Sequence, residues 1–197
     1  MRIVLAGASG VIGSRLIPLL QDGGHEVIGL TRTAAHVDGI NAAGATGIQV
    51  DILDADAVRA VVSKHRPDLV MHQVTDLPDS KLALLFKVRA LGRIRTIGTD
   101  NLVAAATAVD ARVVAQSVAF SLPRQAQRAI DYLEAAVLGV HGQVVRYGQF
   151  YGPGTWAERA PSGPDVVHVD AAAQATARLI DEPGGVVEVR DSGITRP

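Results

Sequence analysis

The chain has 197 residues, 48% hydrophobic and 20% charged, with 19 Lys and Arg against 20 Asp and Glu for a net charge of −1, which fits one domain with a sizeable core and argues against disorder. The balanced charge leaves no footprint for nucleic acid or an anionic membrane, and with no cysteine neither a disulfide framework nor a thiolate metal site can form. No metal is expected, and a small molecule is the expected partner; with no run approaching the roughly 20 apolar residues of a membrane span and no leader ahead of the first strand, a cytoplasmic protein is expected.

Residues 2–6, Arg-Ile-Val-Leu-Ala, are too short and too β-branched to begin a helix and read as a buried parallel strand. Gly7-Ala8-Ser9-Gly10-Val11-Ile12-Gly13 follows, and from Ile12 onward Ile12, Leu16 and Leu19 or Leu20 recur at helical spacing. The three glycines therefore sit where a strand turns into a helix, the context in which such a motif binds a dinucleotide. Gly7 permits the tight turn, Gly10 lets main-chain N–H groups approach a phosphate, and Gly13 allows close packing of the helix. The helix start offers open amides and partial positive charge to a diphosphate.

Gly23-Gly24 closes the helix and residues 25–30 form a second strand. Arg32 lies at its carboxyl end, where a carboxylate would hold a ribose 2′-OH and an Arg accommodates a 2′-phosphate. No Asp or Glu occupies Leu30, Thr31 or Thr33, so NADP is favoured over NAD; the alternative is that Arg32 is a solvated loop cation. Residues 34–43 form a short, weak helix and 47–50 a third strand. Asp51-Ile52 follows, with Asp51 either an adenine contact or a turn residue, and Asp54 caps a helix whose face is Ala57, Val58, Val61 and Val62.

Residues 67–72 form the fourth strand and lead into Gln73 and Val74. Its carboxyl end faces the crevice of the glycines, which makes His72 and Gln73 candidate polar groups near the nicotinamide half; the alternative for His72 is a structural hydrogen bond. Residues 77–91 are indecisive, with a basic cluster of Lys81, Lys87, Arg89, Arg93 and Arg95 that reads as a solvated face or, for Arg95, a cofactor contact. A helix over 98–109, a fifth strand over 111–116 ending at Ser117, a helix over 125–138 and a sixth strand over 143–147 follow. Residues 149–155 read as a rigid loop, 166–170 lead into a last helix over 171–180, and 186–189 form a last strand. Alternating strands and helices with no repeat predict one α/β domain, a doubly wound parallel sheet of about seven strands with helices on both faces.

Taken together, Gly7-xx-Gly10-xx-Gly13, Asp51-Ile52, Gly98-Thr99-x-Asn101-Leu102, Ser117, Arg146-Tyr147-Gly148-x-Phe150-Tyr151-Gly152-Pro153-Gly154 and His168-Val169-Asp170 resemble the short-chain dehydrogenase/reductase superfamily, in its extended and atypical branch of NAD(P)-dependent epimerase/dehydratase-like proteins. The resemblance implies a Rossmann-type fold and a coenzyme held by Gly7, Ser9, Gly10, Val11, Ile12, Gly13, Arg32, Asp51, Ile52, Gln73, Val74, Tyr147 and Pro153. It also implies a homodimer through paired helices. The family uses a Ser or Thr at Ser117, a Tyr as proton donor and a Lys four residues later. Aligning the family Glu with Glu134 places Ala126 where the Tyr belongs and Ile130 where the Lys belongs, and neither side chain can take up that chemistry. Tyr132 is followed four positions later by Ala136, and Arg95 replaces the family's structural Asn. Only a short segment, around 150–168, remains for the substrate. The resemblance thus implies an NADP(H)-dependent oxidoreductase of a small carbonyl, hydroxyl or enone compound, with Ser117 orienting it and Tyr151 or Tyr147 replacing the missing acid. A non-catalytic NADP(H)-binding protein and a redox-neutral isomerase or cyclase are the alternatives.

Overall fold

The structure is a computed structural model that describes residues 1–74 and 92–197; Lys81, Lys87 and Arg89 of the basic cluster, and the indecisive segment 77–91, lie outside the described residues. β1 (Arg2–Ala6) is buried from Ile3 onward and leads through the glycine turn into α1 (Gly13–Asp22). β2 (Glu26–Thr31), a 3-10 turn (Ala34–His36), α2 (Val37–Ala42) and β3 (Thr46–Gln49) follow. α3 (Ala55–His65) is capped by Asp54, whose carboxylate accepts from the Asp56 and Ala57 N–H groups, as its sequence position indicates.

β4 (Leu69–His72) precedes a wide π-type turn (Ile94–Gly98) and α4 (Thr99–Thr107). Next come β5 (Arg112–Val118), α5 (Arg124–Gly139), β6 (Gln143–Tyr147), β7 (Gln149–Tyr151), β8 (Val166–His168), α6 (Val169–Leu179), β9 (Gly185–Arg190) and β10 (Gly193–Thr195).

Eight strands form one sheet in the order β10-β9-β6-β5-β4-β1-β2-β3. Every pair is parallel except β9–β10. The reversal of winding at β1–β4 is the switch point at which doubly wound sheets open a crevice. One core layer packs Leu16, Ile17 and Leu20 of α1 with Val169, Ala172 and Leu179 of α6; the other packs Val58 and Val62 of α3, Leu102 of α4, and Leu133 and Val137 of α5. Among the described residues no helix is long and apolar enough to cross a membrane.

Three details differ from the sequence reading. The sheet gains an antiparallel edge strand, β10. The expected rigid loop begins as β7, which pairs in parallel with β8 as a separate two-stranded ribbon, because Gly148 leaves room for the Asp165–Val166 main chain, 2.8 Å from where its Cβ would stand. The weak helix over 34–43 breaks into a 3-10 turn and α2.

The first turn of α1 is set by main-chain contact. Gly7 has φ +86°, its carbonyl accepts the Gly10 N–H at 2.9 Å, and a Cβ on Gly13 would stand 2.1 Å from that same carbonyl oxygen. No side chain moves to relieve such a clash, so Gly13→Ala is expected to lower the melting temperature by at least about 4 °C, the effect of 1–2 kcal/mol in a chain of this size, read by circular dichroism.

Candidate functional site

At the switch point the glycine turn, the carboxyl ends of β2 and β3, and the exit of β4 enclose a groove. Gly7, Ser9 and Gly10 line one wall; Thr31, Arg32, Thr33 and His36 line the side beyond β2; Asp51 and Ile52 line the β3 side; Gln73, Val74 and Ile94 close it on the β4 side. The Gly10 Cβ position meets only the Gly7 carbonyl, at 3.1 Å, so nothing fills the space in front of the turn. Among the described residues the Ser9, Val11 and Ile12 N–H groups donate to no acceptor. Open amides at a helix start form an anion cradle, and this turn therefore fits a diphosphate.

The walls are braced individually. Ser9 Oγ and Thr31 Oγ1 lie 3.0 Å apart, fastening the turn to β2. Asp51 accepts the Leu53 N–H at 2.9 Å, which is the turn role, while the residue also lines the groove. Asn101 Nδ2 donates to the Ile52 carbonyl at 2.8 Å, and a Cβ on Gly98 would lie 2.6 Å from Ile52 Cδ1. The motif Gly98-Thr99-x-Asn101 thus clamps the Asp51-Ile52 loop from behind. Arg15, which the sequence reading did not single out, donates to the Val11 carbonyl, the Pro153 carbonyl and Asp170 at 2.9, 2.7 and 2.5 Å. It ties the turn to the segment after β7, and Pro153 serves it as an acceptor. A cation four residues before the end of the first apolar face was a signal available in the sequence, but its partners were not.

Ser117, expected to orient the substrate, Tyr147 and Tyr151, expected to replace the acid, and His72, a candidate polar group near the nicotinamide half, all have partners within the chain. Ser117 is 1% exposed and its hydroxyl donates to Glu134 Oε1 at 2.5 Å. Strand alternation turns it toward α5 and away from the crevice edge, beside Arg146, its register partner on β6. Glu134 also accepts from Arg146 Nε at 2.8 Å and Nη2 at 2.5 Å. Arg146 reaches Glu188 at 3.6 Å, and Glu188 and Asp165 both receive Arg190. These charges line a second, polar cavity beyond β5, β6 and β9, together with Val118–Ser121 and Gln127.

Tyr147 is 1% exposed and packs against Phe150 with ring centroids 5.2 Å apart. Thr176 Oγ1 donates to the Ala172 carbonyl at 2.8 Å, so the Tyr147 hydroxyl, 2.5 Å from Thr176, must donate to it. Burial pushes the phenol up to about 12, and it keeps its proton; Tyr147 lies beneath the groove and does not line it. Tyr151 donates to Asp191 at 2.9 Å and meets His168 edge-on; the Asp191 hydrogen bond raises its pKa. The Tyr132 hydroxyl lies on Asp100 at 2.8 Å, joining α5 to α4. His72 accepts the Val74 N–H at Nδ1 and holds the β4 exit.

His72 is fully enclosed, and burial lowers its pKa from 6.5 to about 4, with Arg95 acting in the same direction and the Ile94 main chain opposing. Arg95 is itself 9% exposed and desolvation lowers its pKa; among the described residues it borders His72 and does not line the groove.

Residues 3–121 match the family model described as the NAD dependent epimerase/dehydratase family. A 3-diazoavenalumate denitrifying reductase from a Streptomyces species is 36% identical over 180 residues, covering 79% of this chain and 58% of the relative. The chain thus spans under two thirds of that reductase's length. Among solved structures, UDP-glucose 4-epimerase of Thermus thermophilus, in complex with NAD, superposes with a TM-score of 0.79 at 20% identity, covering 100% of this chain and 79% of that one. The Bordetella bronchiseptica enzyme WbmH, in complex with NAD+, gives 0.77 at 19% identity over 99% and 77%. At these identities the structural likeness is one of fold.

An imidazole in the unfolded chain takes up a proton near pH 6.5, whereas folded His72 stays neutral until about pH 4. Its contribution to stability is therefore complete above pH 6.5 and is lost as pH falls through that window, by roughly 3 kcal/mol in all. His72→Gln is expected to flatten the pH dependence of the melting temperature between pH 4 and 6.5, checked by calorimetry across that range.

Proposed function

The chain belongs to the NAD dependent epimerase/dehydratase family, and from that premise we propose that it is an NADP(H)-dependent reductase acting on a small, electron-poor acceptor. The observation that carries this reading is the contrast between an open diphosphate cradle and hydroxyls that are all committed to internal partners. The Ser9, Val11 and Ile12 amides hold the diphosphate through main-chain donors. Arg32, at the end of β2 with no carboxylate at Leu30, Thr31 or Thr33, receives the 2′-phosphate. The NAD named with the solved epimerase and WbmH supports a nicotinamide coenzyme without deciding between its two forms.

A bound nicotinamide supplies the hydride. The chain's own residues position the coenzyme; they do not deliver a proton through Ser117, Tyr147, Tyr151 or His72, each of which is tied or neutral. A simple ketone needs a proton donor at its oxygen as hydride arrives. An enone accepts hydride at its β-carbon and then a solvent proton on the resulting enolate; an aryl diazonium accepts hydride at its terminal nitrogen, and the aryldiazene so formed loses dinitrogen to leave the arene, with no net proton taken up. That the Streptomyces relative is named for denitrifying reduction of a diazo compound supports this class of acceptor.

Arg32→Ala is expected to weaken NADPH about tenfold, as for a lost charge-assisted hydrogen bond, and to leave NADH unchanged, read by nucleotide fluorescence. Gly10→Val should retain the fold and lose both nucleotides. In turnover, NADPH consumption with an enone or aryl diazonium that is unaltered by Tyr151→Phe supports the reading. Nucleotide binding with no consumption across that panel supports a non-catalytic coenzyme-binding protein instead.

A further inference from the structure

Two glutamines stand level with the glycine turn on the β4–β5 side of the crevice. The register pairs His72 with Ala115, so Gln73 and Gln116, the next residue on each segment, come abreast. Met71 and Val114, two positions earlier, both belong to the core layer beneath α1 and α6, and alternation along the chain puts the two glutamines on that face. Gln73 is 3% exposed and Gln116 is 9% exposed. Among the described residues Gln73 Nε2, Gln73 Oε1 and Gln116 Oε1 are buried without a hydrogen-bond partner.

A buried amide left unpartnered is costly and uncommon. The Tyr147 hydroxyl gives its proton to Thr176 and so meets Gln73 as an acceptor only: it can turn toward Nε2, and it leaves Oε1 without a donor. Gln73 does line the same groove as Gly7, Ser9 and Gly10, and it closes that groove on the side away from Arg32.

A side-chain amide presents a donor and an acceptor side by side. Diphosphate oxygens only accept, so they leave the open Oε1 unmet. A group that both donates and accepts completes all of it, and the nicotinamide half of the coenzyme carries two such groups, its ribose diol and its carboxamide. The geometry points to Gln73, backed by Gln116, as the amide pair that fixes the nicotinamide half, and so the face and depth at which an acceptor meets it. This inference rests on the coenzyme reading above.

Calorimetric titration of the full chain with NADPH, 2′-phospho-ADP-ribose and adenosine 2′,5′-bisphosphate, alongside thermal melts, tests it. Gln73→Leu should weaken NADPH about tenfold, the effect of one or two lost hydrogen bonds, and leave adenosine 2′,5′-bisphosphate untouched. Without ligand its melting temperature should rise by about 2–4 °C, because an unpartnered amide has gone. Loss that extends to 2′-phospho-ADP-ribose assigns the contact to the ribose, and loss confined to NADPH assigns it to the carboxamide. Gln116→Leu should shift affinity and melting the same way by a smaller amount, and stands in if Gln73→Leu does not fold. Equal weakening of all three ligands with a lower melting temperature would make the glutamines structural and overturn the inference. A parent that binds NADPH, with Gln73→Leu binding equally well, sinks this inference alone; a parent that binds none of the three sinks the coenzyme reading with it.

Discussion

The Gly7 carbonyl is the point from which the crevice is laid out. It accepts the Gly10 N–H and stands so close to Gly13 that a methyl group there would lie 2.1 Å away. The first turn of α1 is thereby drawn onto the end of β1 as near as two main chains can approach, and its leading amides face out over the sheet. The other side of Gly7 is equally confined, since a Cβ there would stand 2.6 Å from the Gln73 carbonyl oxygen. The exit of β4 is thus positioned by the same residue that shapes the anion cradle. A diphosphate on the turn and a nicotinamide beyond β4 would share one rigid reference.

On the opposite face the organising group is Glu134. Three donors converge on it, from Ser117 and twice from Arg146, and its side chain is 9% exposed. A carboxylate so enclosed is tolerable because its lone pairs are met; removing one partner from a buried pair leaves an uncompensated charge, at about 3–5 kcal/mol. That demand is met in part by Ser117, whose hydroxyl is committed to Glu134. The helix positions at which the resemblance would place the acid and its lysine hold Ala126 and Ile130, and Ile130 is 2% exposed, so apolar packing stands there beside the ion-pair network. Glu188, Arg190 and Asp165 continue this network to the mouth of the second cavity.

Much of the architecture was legible because buried parallel strands leave an unmistakable trace: runs such as Ile3-Val4-Leu5 and Leu69-Val70-Met71 have no polar alternation, and the first is followed directly by a helix with one apolar face. The coenzyme groove was legible for a related reason, since main-chain amides bind the anion and only the glycines need to be seen. The catalytic nominations were less secure. Whether Ser117 faces the crevice or α5 depends on its parity along β5, which a strand's approximate bounds do not fix, and a one-residue shift sends a side chain to the opposite face. The ribbon of β7 and β8 and the edge strand β10 each have three residues, too few to establish a period. The link from Arg15 to Asp170 joins residues 155 positions apart and carries no local signature.

The two faces of the sheet treat buried polarity in opposite ways, and the difference bears on what each does. Beneath α5 the polar groups form a closed circuit, with Ser117, Glu134 and Arg146 satisfying one another. Of the six buried side-chain polar atoms without partners among the described residues, four belong to His72, Gln73 and Gln116, at the carboxyl ends of β4 and β5 beside the switch point. A circuit whose members satisfy one another strengthens the fold without a ligand. Unmet donors and acceptors weaken the ligand-free fold, and a ligand that meets them recovers that difference as affinity. If such atoms marked only imperfect packing they would scatter through the core, yet His65 and Gln143 are the only other residues to carry them among those described. If the coenzyme is what meets them, their concentration where β4 and β5 end would set ligand-free stability and coenzyme affinity against each other through the same few side chains.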